Sequence, residues 1–352
     1  MNRNSAPRYC IFRTDGIGDV ILTLPMAEAI KKNNPDAHTT FCIQTYVKDI
    51  VQLSPWIDDI IDIGRRDIPS AADFVRRLKL HPFDAVLFAY PRPKLSYAAW
   101  RANIPVRIGS SGRWYSLFYN RPVHEHRSDA RFHESIYNLH MLDELEIIYE
   151  SNLTPKLPIS DEMKNDARML LHANGIDAAK PFIILHPGSG GSAKDWSADN
   201  FGKLGQQITG SFSDLSILIT GTEQERHLTH KVKSIIGPSG FVLSQPVALK
   251  TLAALLSLSR CIVANSTGPL HIGAAVGIPV VALYPNKKVC NPRRWKPLGG
   301  QVYMFTPPLI ESCARCRAES CGEHDRMERI EVGDVFAAVE QILSGTTRPV
   351  SA

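Results

Sequence analysis

A small polar segment, Asn265–Gly268, separates two apolar runs that each predict a buried strand. The run CIVA precedes it, and a helical pattern over residues 269–276 follows it. The first backbone N–H groups of a helix bind anions, and small side chains let the anion approach closely. Pro269 suits the first helical turn, and the helical period places His271 towards the same ligand. We predict an anion-binding loop of Ser266, Thr267, Gly268 and His271; the alternative is an ordinary capped helix whose histidine is bonded within the protein.

A second strand pattern, FIIL, leads into the glycine-rich segment HPGSGGSAKDW, residues 186–196. A Gly/Ser loop that carries one lysine, here Lys194, is typical of phosphate binding. The spacing is not that of a Walker A loop, because no Gly-Lys-Ser/Thr follows four spacer residues, and this argues against P-loop nucleotide hydrolysis. The alternative is a flexible loop with a solvated lysine, which two such loops in one half of the chain make the weaker interpretation.

A third strand pattern, LSILIT, is followed by Gly221, Thr222, Glu223 and Glu225. A carboxylate at this position could accept hydrogen bonds from ribose hydroxyls. Alternatively, Glu223 and Glu225 are acids in the first turn of a helix, where the helix dipole favours negative charge.

The segment FRTDGIGDVILTLP, residues 12–25, turns from a strand through Gly16 and Gly18 to Asp19. Ile21 stands where a dinucleotide fingerprint has its third glycine, so the pattern weakens the case for an NAD site. A carboxylate at a strand-to-helix turn could take a proton from a hydroxyl group. The alternative is that Asp19 is a helix N-cap, and Asp15 is a second candidate base in the same turn.

Seven cysteines are present, four of them scattered: Cys10, Cys42, Cys261 and Cys290. The other three cluster at Cys313, Cys316 and Cys321, and together with His324 they could form a tetrahedral zinc site. An odd count in a large chain favours reduced thiols over a disulfide framework. We prefer unliganded cysteines to structural zinc at this cluster.

Apolar runs of four to six residues alternate with helical patterns such as 24–33 and 249–258 throughout the chain. This alternation predicts an α/β fold with two doubly wound parallel sheets, in which ligands bind beyond the carboxyl ends of the strands. The two prolines near residues 151–160 indicate a linker between domains at 1–150 and 161–330. A C-terminal helix and tail follow at 331–352.

The 352 residues are 44% hydrophobic and 21% charged, which favours two globular domains. Because no apolar run reaches the roughly 18 residues of a membrane span and no secretory signal is apparent, we expect a cytoplasmic protein. Between residues 91 and 133, eight Arg or Lys stand against two acids, a local charge of +6. This concentration indicates either an anionic partner or a merely solvated basic face.

Five segments, taken in order over nearly the whole chain, resemble the heptosyltransferases of glycosyltransferase family 9. They are RTDGIGDVILTLP, HPGSGGSAKDW, NSTGPLHIGAAVGIPVVALY, PRRWKPLG and CARCRAESC. A sixth, RIGSSGRWYSL at residues 107–117, is similar to the acceptor-side segment of members that act on the lipopolysaccharide inner core.

The resemblance implies a GT-B architecture: two Rossmann-like domains that face a cleft, the N-terminal one binding the acceptor and the C-terminal one an ADP-sugar, usually ADP-heptose. It implies inversion at the anomeric carbon without a metal or other cofactor. Asp19 takes the general-base position, and Lys194 helps to stabilise the departing diphosphate. The implied donor contacts are Ser189, Lys194, Glu225, Ser266, Thr267, Gly268 and His271. The acceptor side, which suits an anionic lipopolysaccharide core, comprises Gly18, Arg65, Arg92, Lys94, Arg107 and Arg113, and the protein is expected to work at the inner-membrane face.

Two positions depart from the family pattern. Asn265 stands where many members carry Asp, and Arg326 stands where many carry a fourth Cys, which weakens the case for zinc. Alternative functions are a transferase or epimerase for another nucleotide sugar, a non-catalytic nucleotide-binding protein, and a nucleic-acid-binding protein. The absence of a recognised binding motif in the basic segment argues against nucleic acid.

Overall fold

The computed structural model describes residues 6–64, 70–191, 193–243, 245–287, 290–308 and 326–345. The chain divides into two compact units, Met1–Pro155 and Lys156–Ala352. Each unit contains one six-stranded sheet whose strand pairs are all parallel, and helices connect the strands. The predicted α/β class with two doubly wound sheets is confirmed.

The first sheet has the order β3-β2-β1-β4-β5-β6. Its strands are β1 Arg8–Phe12, β2 His38–Ile43, β3 Asp59–Asp62, β4 Ala85–Phe88, β5 Val106–Ser110 and β6 Arg121–Val123. The helices of this unit are α1 Ile17–Ile21, α2 Leu24–Asn33, α3 Lys48–Val51, α4 Ala71–Lys79, α5 Pro93–Arg101 and α6 Glu134–Leu139. Phe12 stacks on Phe88 across β1 and β4, with ring centroids 4.4 Å apart, within a core that helices cover.

The second sheet has the order β12-β11-β10-β7-β8-β9. Its strands are β7 Phe182–His186, β8 Ser216–Ile219, β9 Gly240–Val242, β10 Ile262–Asn265, β11 Val280–Leu283 and β12 Val302–Phe305. The helices are α7 Asp161–Ala173, α8 Ala198–Ser211, α9 Arg226–Ile236, α10 Leu249–Leu258, α11 Gly268–Ala275, α12 Pro292–Trp295 and α13 Val332–Ser344. Helices α2 and α10 have the bounds that the sequence predicts.

Each sheet reverses its winding direction at one point, between β1 and β4 in the first unit and between β7 and β10 in the second. The loops that follow these four strands therefore border a topological switch point, where open α/β sheets bind their ligands. The segments after β1, β7 and β10 are the three that the sequence indicates most strongly.

The chain that enters and leaves the second sheet is attached to it. In the predicted linker, the Leu157 N–H donates to the Ala275 carbonyl at the end of α11, over 3.0 Å. The C-terminal helix α13 packs on α8, and its buried side chains Val335, Ala338 and Val339 join the second unit's core. Among the described helices, none is long and apolar enough to cross a membrane.

Candidate active site

The loop after β10 leads directly into α11, which begins at Gly268, one residue earlier than predicted. Thr267 is the N-cap, but its side chain makes no capping hydrogen bond, so the hydroxyl does not occupy the helix terminus. Pro269 lies in the first turn, and His271 follows in the helix with 7% of its surface exposed. The Thr267 side chain therefore leaves the first amides of α11 uncapped, and the anion-binding role of this loop stays a prediction.

Asn265, the last residue of β10, is fully buried and ties the glycine-rich loop to the strand. Its amide nitrogen donates to the carbonyl of Pro187 over 2.6 Å and to that of Trp196 over 3.3 Å. Its amide oxygen accepts the Trp196 N–H at 2.8 Å. Asn265 thus closes residues 187–196 into a loop at both ends. A carboxylate could not donate these two bonds, so the amide of Asn265 has a structural reason.

Trp196 fixes the far end of the same loop. Its side chain is fully buried, and its indole N–H donates to the Ile330 carbonyl over 2.9 Å, just before α13. The ring packs edge-on against Phe201 of α8. The loop is therefore anchored to the core at its end, whereas Lys194 two residues earlier is exposed.

Glu225 supports the glycine-rich loop from the side. One carboxylate oxygen accepts the Gly190 N–H at 2.8 Å, and the other accepts the N–H and the hydroxyl of Thr222, each at 2.8 Å. A Cβ at Gly188 would lie only 2.0 Å from this carboxylate, so the approach requires glycine. Burial opposes the charge on Glu225, but the bonds from Thr222 and Gly190 outweigh it and lower the pKa of this carboxyl group. The Glu225 carboxyl group therefore stays ionised beside the glycine-rich loop.

Two further polar residues lie at the glycine-rich loop of the second unit. The Ser189 hydroxyl, in a residue that is 5% exposed, donates to the Ala193 carbonyl over 3.1 Å and so bridges the loop. His186 ends β7 with its Nδ1 2.9 Å from the Thr220 hydroxyl oxygen, and burial lowers its pKa to about 4. His186 is therefore neutral at pH 7. The sequence interpretation did not identify it, although a histidine that ends a buried strand next to a glycine-rich loop is a usable signal.

In the first unit the charged groups after β1 converge on Arg13, which is 1% exposed. Its guanidinium contacts three carboxylates: Asp15 at 2.8 Å, Asp19 at 2.5 Å and Glu134 at 2.8 Å. Arg127 shares Glu134 at 2.7 Å. Burial alone would lower the pKa of Arg13, but the carboxylates outweigh burial and raise it, so the guanidinium stays charged. The sequence interpretation did not identify Arg13 as a functional residue.

Asp19 lies in the first turn of α1, whose N-cap is Gly16 rather than an aspartate. One quarter of its side chain is exposed, and a Cβ at Gly16 would come within 2.7 Å of its carboxylate. Asp15 is less exposed, at 18%. Burial raises the pKa of Asp15 to about 7 against the opposing charge of Arg13, and the charge of Asp19 adds to the rise. The two acids thus share one guanidinium, and Asp15 is the more buried of the two.

Some of the predicted acceptor-side residues lie at or near the loop after β1, and others lie elsewhere in the first unit. Gly18 lies in α1 beside Asp19, and Arg92, the N-cap of α5, donates to the hydroxyl and the carbonyl of Thr14 over 2.8 and 2.9 Å. Lys94 is exposed in the first turn of α5. Arg107 instead donates to the Phe118 carbonyl over 2.8 Å and to that of Ile104, a structural arrangement in which burial lowers its pKa.

Arg113 is exposed just before a 3₁₀ helix, Trp114–Phe118. Arg65 and the predicted zinc-cluster residues Cys313, Cys316, Cys321 and His324 lie outside the described residues. Within the described part of the chain, no group of His, Cys, Asp and Glu side chains is suited to hold a metal ion.

The loops at the two switch points include one with a carboxylate cluster and one rich in glycine, and comparisons with known proteins identify the family. A putative glycosyltransferase of Haemophilus influenzae is 26% identical over 312 residues, which cover 86% of this chain and 89% of that protein. The crystal structure of the glycosyl transferase family 9 from Veillonella parvula superposes with a TM-score of 0.83 at 21% identity, covering 97% of this chain and 98% of the other.

A structure named Escherichia coli ADP-heptose lps heptosyltransferase II gives a TM-score of 0.79 at 17% identity, covering 96% of this chain and 99% of the other. The two structural likenesses show a shared fold. The sequence model of glycosyltransferase family 9 (heptosyltransferase) matches residues 71–326, well over half of the chain. The protein therefore belongs to glycosyltransferase family 9 and is a glycosyltransferase.

Proposed function

We propose that this glycosyltransferase moves a heptose from ADP-heptose to a hydroxyl group of the lipopolysaccharide core, with inversion at the anomeric carbon and without a metal ion. The family match supports the reaction class, and the name of the E. coli structural relative supports the donor and the acceptor. The observation that carries the proposal is the Asp19 carboxylate, which a buried guanidinium holds at the carboxyl end of β1.

In the proposed reaction the acceptor hydroxyl oxygen bonds to the anomeric carbon while the bond from that carbon to the diphosphate breaks. Asp19 takes the hydroxyl proton, and ADP leaves with the bonding electron pair. Arg13 fixes the carboxylate in position through the 2.5 Å contact. Because a positioned base contributes typically about 10²–10⁴-fold to such a step, Asp19 is the first residue to test.

The donor diphosphate would lie at the start of α11, where the backbone amides, the Ser266 and Thr267 hydroxyls and His271 are grouped. The glycine-rich loop would add Ser189 and Lys194, and a lysine here stabilises the charge that develops on departing ADP. Glu225 would contact the ribose. Its oxygens already accept bonds from Gly190 and Thr222, but each carboxylate oxygen has more than one acceptor site.

The acceptor would be anionic, since Arg92 bonds Thr14, the residue before Asp15, and Lys94 is exposed in the first turn of the helix that Arg92 caps. Arg65, Arg107 and Arg113 remain proposed acceptor contacts. An acceptor of the lipopolysaccharide core also implies work at the cytoplasmic face of the inner membrane.

Calorimetric titration of the purified protein with ADP-heptose, ADP, UDP-glucose and NAD tests the donor assignment. We expect ADP-heptose and ADP to bind and the other two to bind far more weakly. Preference for a uridine nucleotide would overturn the donor and keep the fold. Donor conversion that proceeds equally well without any acceptor would overturn the transferase reaction in favour of an epimerase or hydrolase.

A further inference from the structure

A patch of exposed aromatic and apolar side chains lies on the first unit where α5 meets the 3₁₀ helix Trp114–Phe118. Trp114 and Leu117 are 69% and 67% exposed, and Trp100 and Tyr97 are 43% and 38% exposed. The Phe118 ring lies within 5.5–6.3 Å of the rings of Tyr97, Trp100 and Trp114. We call Tyr97, Trp100, Trp114, Leu117 and Phe118 the aromatic patch.

The aromatic patch is held in place by ordered contacts. The Tyr119 hydroxyl lies 2.7 Å from the Ser96 hydroxyl, which joins the end of the 3₁₀ helix to α5. Arg107 donates to the Phe118 carbonyl over 2.8 Å. Contiguous exposed apolar surface on a well-packed scaffold marks an interaction site, so we expect the aromatic patch to bind a partner.

The segment that forms the aromatic patch is basic in sequence. Residues 91–124 contain six Arg or Lys and no Asp or Glu. Lys94, Arg101 and Arg113 are exposed, and the Arg101 guanidinium lies 6.0 Å from the Trp100 ring centroid. A second copy of this chain is therefore a poor occupant, since a two-fold contact would set like charges against each other.

Trp and Tyr together with Arg and Lys are the side chains that occupy the boundary between lipid and water. We propose that the aromatic patch docks on an anionic lipid bilayer, with Trp114 and Leu117 entering the headgroup region. Arg101 then contacts the lipid phosphates, and Lys94 and Arg113, which we also propose as acceptor contacts, add positive charge next to the membrane surface, where each basic side chain favours binding. The aromatic patch thus names the residues that would contact the membrane. This proposal does not depend on the identity of the donor or the acceptor.

The location of the patch also suits a lipid-linked acceptor. Arg92, the N-cap of helix α5, bonds Thr14 in the segment that also carries Asp19, and Trp100 lies eight residues further along the helix. At 1.5 Å per residue this is about 12 Å along the helix axis. A hydroxyl carried a short distance above the bilayer would thus reach the turn that holds Asp19.

Vesicle sedimentation of the full chain tests the proposal. The probes are vesicles of phosphatidylethanolamine with phosphatidylglycerol, compared with phosphatidylcholine alone, in the absence of any nucleotide sugar. We expect binding to the anionic vesicles that weakens as salt is added. The double variant Trp114→Ser, Leu117→Ser should lower the partition coefficient at least about tenfold, because two large apolar side chains are lost from the interface.

Matched controls separate the patch from general effects. Ile148→Ser removes an apolar side chain that is 82% exposed elsewhere on the first unit, and it should leave vesicle binding unchanged. Arg101→Gln with Arg113→Gln should weaken binding more than Lys203→Gln with Lys250→Gln, which removes equal charge from exposed positions on α8 and α10.

Wild-type protein that ignores anionic vesicles, or a folded Trp114→Ser, Leu117→Ser variant that binds them as well as wild type, would overturn the proposal. The proposal would also be overturned if the patch variant still bound vesicles but no longer captured an acidic protein that wild type captures. None of these outcomes bears on donor binding, so a failure here is distinguishable from a failure of the proposed transferase reaction.

Discussion

At the carboxyl end of β1, Arg13 holds Asp15 and Asp19 on one guanidinium and Glu134 on its far side. One guanidinium carries a single positive charge, so it cannot neutralise three carboxylates. Its role is to hold them in position. Removing one partner of a buried ion pair typically costs about 3–5 kcal/mol, so Arg13 itself is a poor position for testing catalysis. The acids that it holds can be changed one at a time.

We predict that Asp19→Asn lowers the transfer rate by about 10²–10⁴-fold, because the amide keeps the shape and accepts from Arg13 but cannot take a proton. ADP binding should be unchanged, since the diphosphate contacts that we propose lie in the second unit. Steady-state rates and calorimetry on the same preparation measure both. The matched control is Asp36→Asn, an exposed aspartate after α2. A variant Asp19→Asn with wild-type turnover would remove this residue as the base.

Asp15 gives the folded protein a pH dependence of its own. Its pKa rises from 3.8 in the unfolded chain to about 7 in the folded one, chiefly through burial. The folded state therefore holds this proton more tightly, and the stabilisation present below pH 4 is lost as the pH rises towards 7. We predict that Asp15→Asn is relatively more stable than wild type at pH 8 than at pH 5, with a slope difference of up to about 1.4 kcal/mol per pH unit. Urea unfolding at the two pH values measures this, and parallel pH profiles would contradict it.

At the scale of elements, the glycine-rich loop that we propose for the donor is held at three positions: Asn265 bonds Pro187 and Trp196, Glu225 bonds Gly190, and the ring of Trp196 is buried. These side-chain contacts hold the loop in place without the hydrogen bonds of a helix or a strand. Anion binding by such a loop depends on amides that are already in position, so the loop's supports and its ligand contacts are linked.

We predict that Asn265→Asp lowers the free energy of unfolding by about 3 kcal/mol and weakens ADP binding, because two donated bonds are replaced by a buried carboxylate facing the Pro187 and Trp196 carbonyls. The control is Asn286→Asp, which removes one amide-to-carbonyl bond at a half-buried position of the same unit and should cost about 1 kcal/mol. Chemical denaturation and calorimetry measure the two effects. Equal costs for both variants would contradict a special role for Asn265.

The elements were predictable from the sequence because their signals are local. The bounds of α2 and α10, the strand-end positions of the loops and the parallel sheets follow from hydrophobic periodicity. The supports of the site were not, since they join distant residues: Arg13 meets Glu134 across 121 positions, and Asn265 meets Trp196 across 69. A buried Arg or Asn beside a functional segment has the same local pattern whether it contacts a ligand or another part of the chain.

At the scale of the whole molecule, each of the two candidate sites lies within one compact unit. Asp19, Gly18 and Arg92 belong to the first unit, while the glycine-rich loop and the start of α11 belong to the second. Each site borders the switch point of its own sheet, and the two sheets have equivalent strand orders. This separation makes it possible to observe nucleotide binding apart from the chemistry of the base.

We predict that ADP slows amide exchange most strongly in the segments 187–191, 193–196 and 266–271, because these carry the proposed diphosphate contacts. At about 100 times its Kd, a ligand that binds only the folded state adds about 2.7 kcal/mol to the free energy of unfolding. Lys194→Ala should reduce both the protection and the added stability at a fixed ADP concentration, whereas Lys203→Ala, an exposed lysine on α8, should not. Asp19→Asn should leave the pattern as in wild type. Protection that appears after β1 but not in these second-unit segments would place the nucleotide on the unit that we assign to the acceptor.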